Sequence, residues 1–409
     1  MKLSQHQGRL FSLGIRALRR VMHDRGVRVA FFVFVLTRAI VFVLFVAATH
    51  LTLEDPSPPS FGSAIQNIRI SVFHETVIEK LSPLALRGDG GWYIAVAKNG
   101  YEQMPFDSDK MHNWAFFPLY PLSLRLTASI TGGFQLTAML LSSIFFLFAI
   151  ILLHKTVVAF GYGEATADRT VFYISAFPTS YFFSLPLTES LFLFLTVGSF
   201  WAAKRDSWWL AGTFGALASA TRYNGLFLLP VLTLLYWQQH RYHPLKLRAD
   251  VLSLCLLPLG LLFFMLYLFF ITGNAFAFIA VQKAWGVRSG FFLYPLYEYF
   301  LFPHHVSLLW NFRLLNLVAT LIAFACGFAL VRRREWELAL YTFISVIVPL
   351  LTLTLESLAR YVMVVFPVFI ILAVVGRRPM VDQAIRAVFI VLLGLMSASF
   401  ALYLSIALI

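Results

Sequence analysis

The stretch Val29–Ala48, VAFFVFVLTRAIVFVLFVAA, holds a single charged residue, Arg38. It is as long as an α-helix needs to be to cross a hydrocarbon core of about 30 Å. In lipid the backbone polar groups must be satisfied internally, and a helix does this within one segment. The stretch therefore reads as a membrane span. The residues before it are basic. A cleaved signal peptide has a shorter apolar region and a small-residue cut site, so this is read as an uncleaved first helix. Moving outward, comparable apolar runs lie at about 28–50, 134–158, 170–186, 187–203, 207–221, 225–238, 251–272, 307–330, 336–354, 359–375 and 387–408. The expectation is an all-α polytopic membrane protein with about eleven transmembrane helices, several of them short enough to be tilted or broken. Composition agrees. The chain has 409 residues, 60% hydrophobic and 12% charged, with 43 phenylalanines, whereas a soluble domain carries about 25% charged residues.

The connections are uneven. Residues 51–133 form a large first loop, whose apolar parts near 63–86 and 115–130 read as interfacial helices, the second of them long enough to be a span instead. Residues 273–306 form a second large loop, and nothing marks a separate soluble domain within 1–409. With the amino terminus in the cytoplasm, alternate threading puts nearly two thirds of the basic residues on the cytoplasmic side, including Arg332-Arg333-Arg334 and Arg377-Arg378. This follows the positive-inside rule. The formal charge of +13 is thus almost entirely a topology signal. Being scattered over short loops, it argues against a nucleic-acid partner. Cys255 and Cys326 lie in apolar runs without metal-ligand spacing and read as core residues. Neither a zinc-protease His spacing nor a P-loop or Rossmann glycine pattern occurs, and adjacent His304-His305 read as a helix entrance. Trp208-Trp209 fits the interfacial aromatic belt.

The polar residues left on the outer side are few. The first loop carries Arg87-Gly88-Asp89-Gly90-Gly91-Trp92-Tyr93, Asn99-Gly100-Tyr101 and Trp114 to Pro121. Outer turns hold Thr188-Glu189-Ser190, Thr221-Arg222-Tyr223-Asn224-Gly225 and Glu356 to Tyr361, and the second loop holds Gln282, Lys283 and Arg288. Ionisable groups beside hydrocarbon are costly and often functional. Asp89 has two readings. Glycines around it permit close approach to a ligand, where the carboxylate takes a proton from an attacking hydroxyl; equally, Asp89 caps the helix that follows. Arg222 and Arg360 match phosphate geometry, or else form structural ion pairs with Glu189 or Glu356. Lys283 is a weaker cation for the same phosphate. Arg38, within the first span, reads as structural.

Taken together these strings resemble the PIG-V family, the second mannosyltransferases of GPI-anchor synthesis and their prokaryotic relatives. The likeness rests on Arg87 to Tyr93, Asn99 to Tyr101, Phe116-Phe117-Pro118-Leu119-Tyr120-Pro121, Phe177-Pro178-Thr179-Ser180, Thr188 to Ser190, Thr221 to Gly225, and Ala359-Arg360-Tyr361 before Phe366-Pro367. The resemblance implies a GT-C type glycosyltransferase. Its donor would be a polyprenyl-phosphate sugar, mannose by preference, and transfer to an extracytoplasmic glycan or glycolipid acceptor would invert the anomeric centre. It maps the family's loop aspartate onto Asp89 as catalytic base. Arg222, Arg360 and Lys283 would bind the donor phosphate, and Trp92, Tyr93, Glu189, Asn224, Gln282 and Tyr361 would line the substrate site. Two positions depart from the family pattern. Gly88 stands where an aromatic is common, and Tyr223 interrupts the usual Arg-Pro-Asn-Gly. No metal is required by this chemistry, although Asp107, Asp109 and Glu189 leave one open. A prokaryotic plasma membrane is the expected setting, with the active site outside. The competing reading is a transporter or flippase of a lipid-linked sugar, and a third is a non-catalytic subunit that presents a lipid. A transporter would place its polar residues near the bilayer midplane, not at helix ends.

Overall fold

The computed structural model describes residues 24–49, 51–53, 68–70, 77–243, 248–301 and 312–402. In chain order the helices are α1 (Arg25–Thr49), α2 (Val77–Leu84), α3 (Asp89–Asn99), α4 (Leu119–Thr131), α5 (Gln135–Ala159) and α6 (Glu164–Ala176). There follow α7 (Glu189–Lys204), α8 (Trp208–Thr221), α9 (Leu228–Gln239), α10 (Leu259–Thr272), α11 (Ala277–Ala280) and α12 (Tyr294–Leu301). The last are α13 (Phe312–Arg332), α14 (Trp336–Leu350), α15 (Leu358–Val362), α16 (Phe366–Val375) and α17 (Pro379–Ala401). One departure from the all-helical expectation is a short antiparallel ladder, β1 (Leu51–Leu53) with β2 (Ile68–Ile70), in the register Leu51 opposite Ile70.

Among the described residues, five helical stretches are long and apolar enough to cross a bilayer: Arg25–Thr49, Gln135–Ala159, Ala249–Thr272, Arg313–Arg332 and Pro379–Ala401. The protein is an integral membrane protein of helices. α7 packs between α5 and α8, α1 against α6 and α17, and α13 against α14 and α15. The apolar residues on the outside, such as Phe32, Phe263, Phe270 and Val391, face where lipid belongs.

Several expected spans prove to be composite. The run at 170–186 is not one helix: α6 ends at Ala176, Phe177 is extended at φ −55°, ψ 143°, and a 3-10 turn follows over Ser180–Ser184. Pro178 explains the break, since proline disfavours helical backbone at the residue before it and lacks an N–H to donate. The run at 359–375 divides into α15 and α16, with a proline in the first turn of α16. The run at 336–354 ends at Leu350, and α17 begins at Pro379, well before 387. The apolar part at 115–130 is the 13-residue α4, about 20 Å long and too short to span alone. His304-His305 and most of 63–76 lie outside the described residues.

Arg38 closes the broken segment. Fully buried, it donates through Nη1 to the Ser180 carbonyl at 2.6 Å and through Nη2 to the Ser175 carbonyl at 2.9 Å. Its guanidinium lies 4.9 Å from the Phe146 ring centre. Carbonyls freed by the break are satisfied by Arg38, the one charged side chain between Val29 and Ala48, as a buried polar group requires. Two readings need correction. Cys255 is exposed, while Cys326 is buried. Trp208 is packed inside against Tyr236 and only Trp209 is exposed.

A smaller apolar cluster joins the two large loops to α10. Trp114 and Phe117 from the first loop meet Phe264 and Leu268 of α10, and Phe278 and Val281 of the second loop. Arg87 donates to the Phe400 carbonyl at the end of α17. Both contacts hold the first loop down over one end of the bundle, where the polar motifs collect.

Candidate active site

Glu189 is the first residue of α7 and is fully buried. A lone buried carboxylate is prohibitively costly, so cations must come to it. Two do. Arg222, in the turn after α8, donates from Nη1 to Glu189 Oε1 at 2.7 Å; Arg360, in α15, donates from Nε to the same oxygen at 2.7 Å. Arg360 also donates from Nη1 to Asp89 Oδ2 at 2.9 Å. The result is one continuous chain, Asp89–Arg360–Glu189–Arg222, drawn from the first loop and three separate turns. Residues expected to share one site from their common side of the membrane thus share a hydrogen-bonded cluster. Glu356, the other carboxylate considered for Arg360, is exposed instead.

Asp89 is the first residue of α3, and Gly88 occupies the capping position with no side-chain cap bond. The carboxylate points to Arg360 and not back to the helix amides, so the capping reading is not realised. With 43% of its side chain exposed, Asp89 is the open end of the cluster, whereas Arg222 and Arg360 are 17% and 11% exposed. The neighbouring Gly90 approaches protein, not ligand space: a Cβ there would stand 2.5 Å from the Ala85 carbonyl oxygen. Gly225 works in the same way, since its Cβ would meet the Ala218 and Ser219 backbone at 2.3 Å. It lets the Arg222 turn fold back onto α8.

Aromatic rings support the cations. Arg222 lies 5.4 Å from the Tyr361 ring centre and Arg360 5.0 Å from that of Phe182, distances at which a cation is attracted to the ring face. Tyr93, one turn along α3 from Asp89, is buried and edge-on to Phe116 and Tyr120. Burial pushes its phenol well above the ordinary value, so it stays a neutral hydrogen-bonding group. Trp92 stacks on Phe116 with ring centres 5.5 Å apart, and Trp285 of the second loop stands edge-on to Trp92 at 5.9 Å. Two buried acceptors at the site, Glu189 Oε2 and Asn224 Oδ1, have no hydrogen-bond partner among the described residues.

Lys283 is not drawn into this cluster. It is 73% exposed and 3.5 Å from Asp109. Gln282 is half-buried beside it. Asp107 lies 3.9 Å from His112, and His112 also contacts Glu102. Asp107, Asp109 and Glu189 therefore do not converge on a metal position. Among the described residues the one group with metal-ligand spacing is His154, Glu164 and Asp168, on the turn between α5 and α6. There Arg25 already occupies Asp168 Oδ2 at 2.6 Å.

Thr188, in the outer turn that the sequence singles out with Glu189, accepts from Arg222 at 3.3 Å. Two further contributors were not foreseen. Asn316, fully buried in α13, accepts from the Ala359 amide at 2.8 Å and so anchors the segment that carries Arg360. Trp285 completes the aromatic group. Of these only Asn316 left a signal, as an amide inside an apolar run.

An apolar cavity of about 560 Å³ runs between α3, α4, α8 and α10, with Val96, Leu119, Leu217, Leu259, Phe263 and Tyr267 in its walls; Ala220, two residues before Arg222, also lines it, while none of the four cluster residues does. It is open to the side of the bundle where apolar residues are exposed.

The family model described as Mannosyltransferase (PIG-V) matches residues 27–284. The GPI alpha-1,6-mannosyltransferase 2 of Rattus norvegicus is 28% identical over 164 residues, 37% of this chain and 32% of that protein. The enzyme of the same name from Cricetulus griseus is 27% identical over 184 residues, 42% of this chain and 34% of that protein. The chain thus spans about a third of the length of these relatives. Among solved structures, ArnT from Cupriavidus metallidurans bound to undecaprenyl phosphate superposes with a TM-score of 0.48 at 13% identity, over 84% of this chain and 60% of that one. The Archaeoglobus fulgidus oligosaccharyltransferase complexed with Zn and sulfate gives a TM-score of 0.48 at 14% identity, over 90% and 53%.

Proposed function

The chain belongs to the mannosyltransferase (PIG-V) family, and from that premise we propose that it transfers mannose from a polyprenyl-phosphate donor to an extracytoplasmic glycan or glycolipid acceptor, with inversion, in a GT-C type fold. The observation that carries this reading is the chain of contacts Asp89–Arg360–Glu189–Arg222, with an apolar cavity whose lining comes within two residues of Arg222 at Ala220. In this reading the isoprenoid tail lies in the cavity, the phosphate lies against the guanidinium groups, and the acceptor approaches the open Asp89.

The acceptor hydroxyl attacks the anomeric carbon. A new C–O bond forms to the acceptor, the bond to the phosphate oxygen breaks, and Asp89 takes the hydroxyl proton. Charge moves in one direction: the carboxylate loses its negative charge as the departing phosphate gains one. Arg360 contacts Asp89 at the start and is placed to hold the phosphate at the end, so the cation follows the charge without leaving the site. Stabilising charge where it develops is the largest lever such a site has. Glu189 acts as a positioning residue, fixing both arginines through one oxygen.

Purified protein supplied with labelled polyprenyl-phosphate mannose and an array of glycan and glycolipid acceptors tests this. Label appearing on an acceptor supports transfer. Label that crosses a vesicle bilayer still attached to its lipid, with none on any acceptor, would overturn it in favour of a flippase.

A further inference from the structure

Three helices bear on the candidate site at one end, and their other ends meet at a second cavity. α7 runs from Glu189 to Lys204, a rise of roughly 22 Å. α8 starts at Trp208 and returns to Thr221, next to Arg222, and α9 leads away again to Gln239. Where these far ends gather, a cavity of about 620 Å³ is lined by Lys204, Asp206, Gln239, His240, Arg241 and Arg248.

Its lining sets three permanent cations against one carboxylate. That carboxylate is already engaged: Asp206 accepts from the Trp208 indole at 3.1 Å and from Arg248 Nη1 at 3.1 Å. Arg241 forms no ion pair among the described residues. The turn that presents it is well fixed. His240, nine-tenths buried, donates from Nδ1 to the Tyr236 carbonyl at 2.8 Å and stacks on the Tyr236 ring. Gln239 donates to the Ala203 carbonyl at 3.0 Å. Arg241 and Tyr242 both have left-handed backbone, φ 55° and 58°. Two consecutive non-glycine residues in that region are strained, and folds retain such strain where it serves a purpose. Trp209, Trp237 and Tyr242 are exposed and belong to the same helix ends and turn.

We propose that this cavity binds the phosphate of an anionic phospholipid headgroup, in the leaflet opposite the one that the candidate site faces. Guanidinium groups match phosphate oxygens with paired hydrogen bonds. Exposed Trp and Tyr mark the headgroup level of a bilayer, and basic pockets between spanning helices are suited to anionic headgroups. A soluble phosphate shares the ionic chemistry, but the exposed rings beside the cations favour a ligand that carries acyl chains.

Native mass spectrometry of the full chain in detergent, titrated with phosphatidylglycerol, phosphatidylcholine or inorganic phosphate, tests the proposal. The expected result is one retained phosphatidylglycerol per chain at a concentration about tenfold below that needed for phosphatidylcholine. The Arg241→Gln/Arg248→Gln double variant should need about tenfold more of it, while Arg332→Gln/Arg334→Gln, at a different basic turn, binds like wild type. Lys204→Gln, expected to lose affinity in the same direction, carries the test if the double variant does not fold. Equal binding of the two lipids would overturn the proposal, as would retention unchanged in both cavity variants. Displacement of phosphatidylglycerol by equimolar inorganic phosphate would overturn it in favour of a soluble-anion site.

Discussion

At one end of the bundle, Glu189 is fully buried between Arg222 and Arg360. At the other, Arg248 and Asp206 stand 3.1 Å apart with 66% and 57% of their side chains exposed. Arg25–Asp168 and Lys155–Asp24 are likewise partly open. The residue types are the same and the distances similar, so burial decides what each pair does. An exposed pair is screened by water and contributes about 0–1 kcal/mol. A buried carboxylate holding two guanidiniums leaves uncompensated charge when any member is removed, at a cost of about 3–5 kcal/mol. The open end answers to topology and lipid; the closed end sets a geometry.

The comparison predicts a graded series of effects. Glu189→Gln leaves two buried guanidiniums facing a neutral amide and should lower unfolding stability by about 3–5 kcal/mol, read as a large fall in the thermal midpoint in detergent. A fall no greater than that of a surface variant would mean the arginines do not depend on Glu189. Arg360→Ala should weaken polyprenyl-phosphate binding by about 10- to 100-fold, the worth of a charge-assisted contact of about 1.5–3 kcal/mol, with Arg360→Lys recovering only part because it lacks the planar fork. Donor affinity unchanged in both variants would remove Arg360 from the phosphate site. Asn316→Leu deprives the buried Ala359 amide of its acceptor. It should cost about 1–3 kcal/mol and displace Arg360, so that stability and donor affinity fall together; a loss of stability alone would contradict the anchoring role. Asp206→Asn, at the open end, should change stability by no more than about 1 kcal/mol and leave transfer unaltered.

Much of the closed end was legible in the sequence, for a physical reason. In a chain so apolar, each ionisable residue at an outer helix end is conspicuous, and Asp89, Glu189, Arg222 and Arg360 were all conspicuous in this way. Their partners were not. Arg360 had two acidic candidates, and only the fold decides that it reaches Glu189 rather than nearby Glu356. Lys283 read as a weaker cation for the same phosphate, and its loop carries it out to Asp109. Pro178 lay in plain sight, but hydropathy over a window does not register a break between two apolar pieces, so 170–186 read as one span. Arg38 is the other half of that break, and its role becomes evident only when the Ser175 and Ser180 carbonyls are seen to converge on it. Asn316 is visible as an amide inside an apolar run, but a single amide barely alters the mean hydropathy of a helix and says nothing of the Ala359 amide it accepts from.

Asp89 is the one member of the cluster that is both bonded to it and open to an incoming acceptor. Measuring donor binding and sugar transfer on the same preparation of Asp89→Asn therefore tests the account at its centre. The amide keeps the shape but takes no proton, so donor affinity should stay within about twofold while turnover falls by about 10²- to 10⁴-fold. Turnover equal to wild type, with the donor bound as before, would contradict it.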